Sequence, residues 1–188
     1  FDRVLTDVRA LPGVQSAAFI SGLPMIVTGL ITGVEIPGQE VRSARTGGVS
    51  HRWITRQYFR TMGIPILRGR DVEDADTTDR AWVAVVSQSF AERYWPGQDP
   101  IGKTFRHRDR ARTVVGVVGD IKVRGLERTN EPQIYLPAQQ IPQPGALGYA
   151  NVVDQEVPAV LAADRDPGDV LRGVSEPDAL YMATEQDF

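Results

Sequence analysis

Between Trp82 and Ile121 the chain runs WVAVVSQSFAERYWPGQDPIGKTFRHRDRARTVVGVVGDI, and this stretch constrains the fold more than any other. Trp82 to Val86 is an apolar, largely β-branched run and predicts a strand. Ser87 places a side-chain oxygen where the first amides of a helix need an acceptor, so Gln88 to Trp95 is expected as a short helix. Pro96 and Gly97 end it. The turn GQDPIG then leads into Lys103 to His107, and Thr113 to Val118 returns as an apolar strand, giving a hairpin. Its tip, RHRDRAR, carries too much charge to bury and is expected in solvent.

The same stretch contains Gly97-Gln98-Asp99-Pro100-Ile101-Gly102-Lys103-Thr104, which matches the phosphate-loop pattern G-x-x-x-x-G-K-[ST]. A phosphate loop needs a buried strand before it and a helix after it, so that the helix N-terminus aims its amides at the phosphates. Here the order is inverted. A helix ending in Tyr94-Trp95-Pro96 precedes, and an alternating strand follows. Pro100 removes an amide from inside the cradle. No strand ending in a metal-binding Asp follows in a fitting place, since Gly119 interrupts Val114 to Asp120. The segment reads as a glycine-rich helix-to-strand turn, and a nucleotide-binding enzyme is rejected.

Composition sets further limits. A chain of 188 residues supports one sizeable domain or two small ones on a shared core. The net charge of −3, with both signs interspersed, offers no footprint for nucleic acid or an anionic membrane. The absence of cysteine excludes disulfides, thiolate metal sites and cysteine nucleophiles, and leaves the compartment open. Leu23 to Val34, the longest weakly polar stretch, falls well short of the roughly 20 residues of a membrane span. The chain starts at Phe1 rather than Met and shows no signal peptide, so it reads as a piece of something longer.

In chain order, Phe1, Val4, Leu5, Val8 and Leu11 have helical spacing, and Pro12-Gly13 stops that helix. Val14 to Ile20 is expected as a strand, residues 22 to 33 as a mobile loop, and Val34 to Ile36 as a short strand. Arg42 to Gly48 reads as a loop and Val49 to Ile54 as an alternating strand. Thr55 is placed to cap a helix over Arg56 to Met62. Ile64 to Asp71 is expected to bend, and Lys122 to Glu131 to loop. Pro132 to Pro137, bounded by prolines, is expected at a sheet edge. Gln139 to Gly148 resembles a linker. Val157 to Ala163 is a further strand, Asp166-Pro167 starts a short helix, and Ala179 to Ala183 is the last strand.

Candidate sites are few. Asp71, Glu73, Asp74, Asp76 and Asp79 suggest oxygen ligands for calcium, but the run lacks the glycine and closing glutamate of an EF-hand loop, so a solvated acidic connector is expected. His51 and His107 are the only histidines, at no metal-ligand spacing. His51 adjoins Ser50, with no nucleophile elbow around it, and His107 falls among arginines. Trp82, Tyr94 and Trp95 are expected to be core anchors. On residues alone the chain is an α+β domain with no catalytic, cofactor-binding or metal residue to name.

An ordered series of blocks goes further. It comprises Val14 to Ala18 after LPG, Tyr58 to Asp71 (YFRTMGIPILRGRD), Val85 to Gln88, Phe90 to Gly97, Asp99 to Lys103, Val115 to Asp120 and Tyr135 to Pro137. Together they resemble the MacB-like periplasmic core domain of ABC-transporter permeases of the MacB and FtsX type, and among these the orphan permeases of acidobacteria. The likeness runs from about residue 1 to 140; residues 140 to 150 and the early Val174 to Asp178 turn fit it less well. It implies a porter-like α+β part from residues 1–63 and 150–188, with a β-rich part, 64–149, inserted. It also implies a domain with no chemistry or cofactor of its own, on the extracytoplasmic (periplasmic) face of the membrane. The implied partners are permease membrane helices at both ends, a second permease copy or half, a cytoplasmic ATP-binding subunit acting indirectly, and a periplasmic adaptor or substrate protein. The exposed loop Gly22 to Gly33 and the 107–112 hairpin tip are then the informative surfaces. The alternative is a free-standing secreted binding module.

Overall fold

Ser87 ends a strand and starts a helix, as its position predicts. Its Oγ accepts a hydrogen bond from the Phe90 amide at 3.3 Å, and a second from the Gln133 amide at 3.0 Å. The computed structural model describes residues 2–25, 30–39, 48–141 and 159–162. Its elements, in chain order, begin with helix α1 (Asp2–Arg9) and strands β1 (Ala17–Ile20), β2 (Leu30–Thr32), β3 (Val34–Glu35) and β4 (Val49–Ile54). Helix α2 (Tyr58–Thr61), strands β5 (Ile66–Gly69) and β6 (Val83–Ser87) and helix α3 (Gln88–Tyr94) follow. Strands β7 (Thr104–His107), β8 (Arg110–Val118) and β9 (Gln133–Pro137), a 3-10 turn (Ala138–Gln140) and β10 (Ala159–Ala162) complete the set.

All these strands join one mixed sheet, in the order β10-β1-β4-β9-β6-β8-β7-β3. Two short strands share each outer side: β1 and β2 lie end to end along β4, and β7 and β5 along β8. The fold is α+β. One face packs Trp53, Ala84, Val86, Phe105, Val114, Ile134 and Leu136 under Phe90, Tyr94 and Trp95 from α3 and its end. The other packs Ile20, Ile54, Val85, Val118 and Tyr135 under Tyr58 and Phe59 of α2. Leu5 and Val8 of α1 cover Ala17 and Phe19.

The helices at the chain start and after Ser87, the strands around 17–20, 34–35, 49–54, 83–87 and 159–162, and the hairpin form where the local pattern puts them. Four expectations fail, each for a tertiary reason. PQIYLP is not an edge strand: β9 is buried throughout, parallel to β4 on one side and antiparallel to β6 on the other. Its prolines lie at the ends, where no ladder amide is needed, so they do not exclude a central place. Ile64 to Asp71 is not merely a bend, because Ile66–Gly69 adds to the end of β8 with a bulge at Leu67. That approach requires Gly116, since a Cβ there would lie 2.1 Å from the Arg70 carbonyl oxygen. Thr55 caps nothing. Its Oγ1 accepts from the Phe19 amide at 2.9 Å, sewing β4 to β1, and α2 starts instead after Gln57 in the left-handed region (φ 71°). The expected loop over 22 to 33 contains β2 at its end, paired with β4. The expected Arg42 to Gly48 loop lies, but for its last residue, outside the described residues, as do most of the 139–148 linker, the Asp166 helix and the 179–183 strand.

Removing the Ser87 hydroxyl strands two buried amides at once. Ser87→Ala is expected to lower unfolding free energy by about 2 kcal/mol, with an unchanged urea m-value. A loss below about 0.5 kcal/mol would show that water replaces both bonds.

Candidate functional site

The fold brings the two histidines together. His51 lies on the α3-covered face of β4 with Trp53, and His107 lies on the same face of the hairpin as Phe105. Their ring centroids are 4.7 Å apart, and each side chain is buried. Burial first, and then the neighbouring His51, Arg112 and Arg108, press the His107 pKa down to about 2, so its ring is neutral. Its Nε2 has no hydrogen-bond partner. Ser50 and His51 face opposite sides of the strand, so their adjacency makes no nucleophile–base pair. No group of three histidine, aspartate or glutamate side chains converges on a metal position among the described residues.

Beside the histidines lies Arg112, also buried. Its Nη1 donates to the Val83 carbonyl at 3.1 Å and to Gln140 Oε1 at 3.3 Å, while its guanidinium lies over the rings of Trp53 (5.3 Å) and Trp82 (4.8 Å). Burial lowers its pKa to about 9, a shift that Asp109 opposes and Arg110 adds to, and it stays a cation at neutral pH. Gln140 organises the same corner: Oε1 accepts from the Val83 amide, and Nε2 donates to the carbonyls of Thr77 and Ala81. RHRDRAR is therefore not wholly solvated. The turn shrinks to Arg108-Asp109, because the strand period sends His107 and Arg112 inward. Tyr94 and Trp95 are core anchors as expected, whereas Trp82 is half-buried, a shelf for Arg110 and Arg112.

The opposite face holds a second buried arginine that sequence reasoning did not single out. Arg52 Nε donates to the Gly22 carbonyl at 2.9 Å, and Nη1 to Ser50 Oγ (2.8 Å) and Gln133 Oε1 (3.4 Å). Tyr135 Oη donates to the same Gln133 oxygen. The alternation of Ser50 and Arg52 along β4 was the available signal.

The acidic connector separates rather than converges. Asp76 is buried and forks onto Arg70 through two 2.8 Å bonds, also accepting from the Glu73 amide. Burial works to raise its pKa, but the Arg70 bonds and the amide outweigh that and hold it below the usual carboxylate range. Asp71 accepts from the amides of Val72 and Gln57, and Asp74 pairs with Arg56. The expectation of a solvated connector thus fails at Asp76, because Arg70 draws it inward. In the phosphate-loop look-alike four of the amides are spent within the turn and on β8. Gln98 donates to Trp95, Ile101 to Asp99 Oδ1, Gly102 to Val114 and Lys103 to Pro100, while Lys103 Nζ reaches Gln98. The segment joins α3 to β7, as the inverted order predicted.

The family of MacB-like periplasmic core domains matches residues 2–170. This chain belongs to it. The match reaches beyond the sequence blocks that end near residue 140. Among curated relatives, the macrolide export ATP-binding/permease protein MacB of Neisseria gonorrhoeae is 34% identical over 65 residues, which are 35% of this chain and 10% of that protein. MacB of Neisseria meningitidis serogroup B matches to the same extent. The chain thus spans about a tenth of the length of the curated relatives it matches. The crystal structure of the periplasmic region of MacB from Actinobacillus actinomycetemcomitans shares the fold, with a TM-score of 0.53 at 19% identity, covering 74% of this chain and 55% of that one. No helix among the described residues of this MacB-like domain is long and apolar enough to cross a membrane.

Two measurements check these assignments. Saturating magnesium–ATP is expected to leave the melting temperature unchanged; a rise that vanishes in Lys103→Ala would restore the phosphate loop. The second concerns His107. Below its unfolded pKa of about 6.5 the unfolded chain gains a proton that the folded chain refuses, so stability falls as pH drops towards 2. The slope from this group is at most about 1.4 kcal/mol per pH unit. Denaturation at about pH 7.5 and about pH 5.5 should show that loss, and His107→Gln should flatten it. An undiminished slope in the variant would remove His107 as its source.

Proposed function

We propose that this chain is the extracytoplasmic domain of an ABC-transporter permease, held at the outer face of the cytoplasmic membrane by permease helices at both ends. It performs no chemistry. It relays motion driven by ATP hydrolysis on a cytoplasmic subunit to export of a substrate, or to a periplasmic adaptor or substrate protein, working against a second permease copy or half. The family match over residues 2–170 carries this reading. A supporting observation is that β10 returns to pair antiparallel with β1, which brings the late segment beside the first strand. Within the proposal, residues 1–63 and 150–188 form the porter-like part and 64–149 the inserted part, the two parts pairing along β4 with β9 and along β3 with β7. The contact surface is the exposed end of the β7–β8 hairpin, which a rigid sheet presents to solvent, whereas the loop after Gly22, expected to be exposed, buries Gly22, Leu23 and Pro24 and exposes only Met25 among its described residues.

The test is topological. The chain has no cysteine, so in a parent protein whose remaining cysteines are replaced, Leu126→Cys, at a side chain 76% exposed, introduces a unique label. In the parent protein a membrane-impermeant maleimide added outside the cytoplasmic membrane is expected to react without lysis. The parent reading frame is expected to carry a run of about 20 apolar residues on each side of the chain. A cleavable signal upstream with a stop codon downstream would replace this reading with the secreted module. Labelling only after lysis would sink both.

A further inference from the structure

We propose that the end of the β7–β8 hairpin is a docking surface for an acidic segment of a partner protein; the inference takes from the functional reading above only that a protein partner exists. Residues 106–112 contain Arg106, Arg108, Arg110 and Arg112 against the single carboxylate of Asp109, in a chain whose net charge is −3. Arg106, Arg108 and Arg110 are exposed. The ion pairs Arg106–Glu35 (3.7 Å) and Arg110–Asp109 (3.5 Å) are long and open to water, so they neutralise little.

All hydrogen bonds of Arg112 leave from Nη1, its Nε has no partner, and no carboxylate forms a salt bridge with it among the described residues. Its charge lies among indole rings, where screening is weak, and adds to the positive field at the hairpin end. Trp82 carries both Arg110 (4.9 Å) and Arg112 (4.8 Å) on its ring, which holds the exposed guanidinium in place before any partner arrives.

Arg108 takes φ 58° at the first position of a two-residue hairpin connection, a conformation that favours glycine and strains an arginine. A charged side chain thus occupies the outermost point of the hairpin where the backbone alone would prefer none. A lipid surface is the weaker fit. Among the described residues the exposed large apolar side chains are Met25, Ile66, Leu67, Ile101 and Leu126, and none belongs to the hairpin, whereas interfacial binding needs apolar side chains beside the cations.

Fluorescence anisotropy with a labelled, glycine-flanked hexaglutamate peptide tests this on the 188-residue chain. The expected result is binding that the matching hexaglutamine peptide lacks and that is lost when ionic strength rises from about 0.05 to about 0.5 M. Arg106→Gln with Arg110→Gln should weaken binding about tenfold or more at unchanged melting temperature. Arg108→Gly should weaken it too while holding or raising the melting temperature, a split that a merely structural arginine would not give. Equal binding of both peptides, or full binding by the double variant, overturns the proposal. So does competition by phosphatidylglycerol vesicles stronger than by free peptide, which would assign the surface to a membrane. Because Leu126→Cys labelling does not involve the hairpin, periplasmic labelling combined with no peptide binding would sink this inference alone.

Discussion

One hydroxyl, Ser87 Oγ, fixes three elements relative to one another. It ends β6, satisfies the Phe90 amide at the start of α3, and receives the Gln133 amide at the start of β9. Asp120, just beyond β8, completes the junction by accepting from both the amide and the hydroxyl of Ser89. The two strands flanking β6 are therefore tied to the helix that covers them. The aromatic group Phe90, Tyr94, Trp95 and Phe105, with neighbouring rings 4.6–5.8 Å apart, packs against the sheet in the position this junction sets.

The sheet buries polar groups on both faces, and two glutamines reconcile them with the core. Gln133 joins Arg52 and Tyr135 on one face; Gln140 joins Arg112 to the loop before β6 on the other. A buried arginine is weak evidence for net stability, since removing it from water costs about what its bonds return. What these networks supply is register. Arg52 reaches Gly22, Ser50 and Gln133 at once only when β9 lies beside β4 in the observed alignment, and a slip of one residue would turn Arg52 onto the opposite face.

Legibility in the sequence followed locality. Ser87, Gln88 to Tyr94 and the hairpin were readable because cap, helix and turn lie within a few residues of each other. The central place of β9 was not, since it depends on Ser50 pairing with Gln133, far away in sequence, and proline position suggested an edge. The meeting of His51 with His107 was not readable for the same reason: each reads alone as an isolated histidine, and their rings meet because the consecutive strands β2 and β3 pair with β4 at His51 and with β7 at His107. The acidic connector misled differently. Arg70 and Asp76 are six residues apart, yet nothing in DVEDADTTD marks which acid turns inward. The family, by contrast, was legible, because an ordered series of blocks over most of the chain is far more specific than any single motif among them.

The order of elements explains why the one enzyme-like motif does not form a phosphate cradle. A phosphate loop works because its amides have no other partner and point at the ligand. In Gly97 to Thr104 the amides instead close the turn that hands α3 over to β7, and Gly102 locks onto Val114 of β8. The glycines serve that closure, with positive φ at Gly97 and Gly102. A domain built this way spends its polar groups on holding one sheet rigid across its width, and a close-packed interior passes a displacement at one edge to the other without absorbing it. That is the mechanical property the proposed relay would require. The proposed docking surface fits the same frame, since Arg106, Arg108 and Arg110 are exposed at the hairpin end above a buried core.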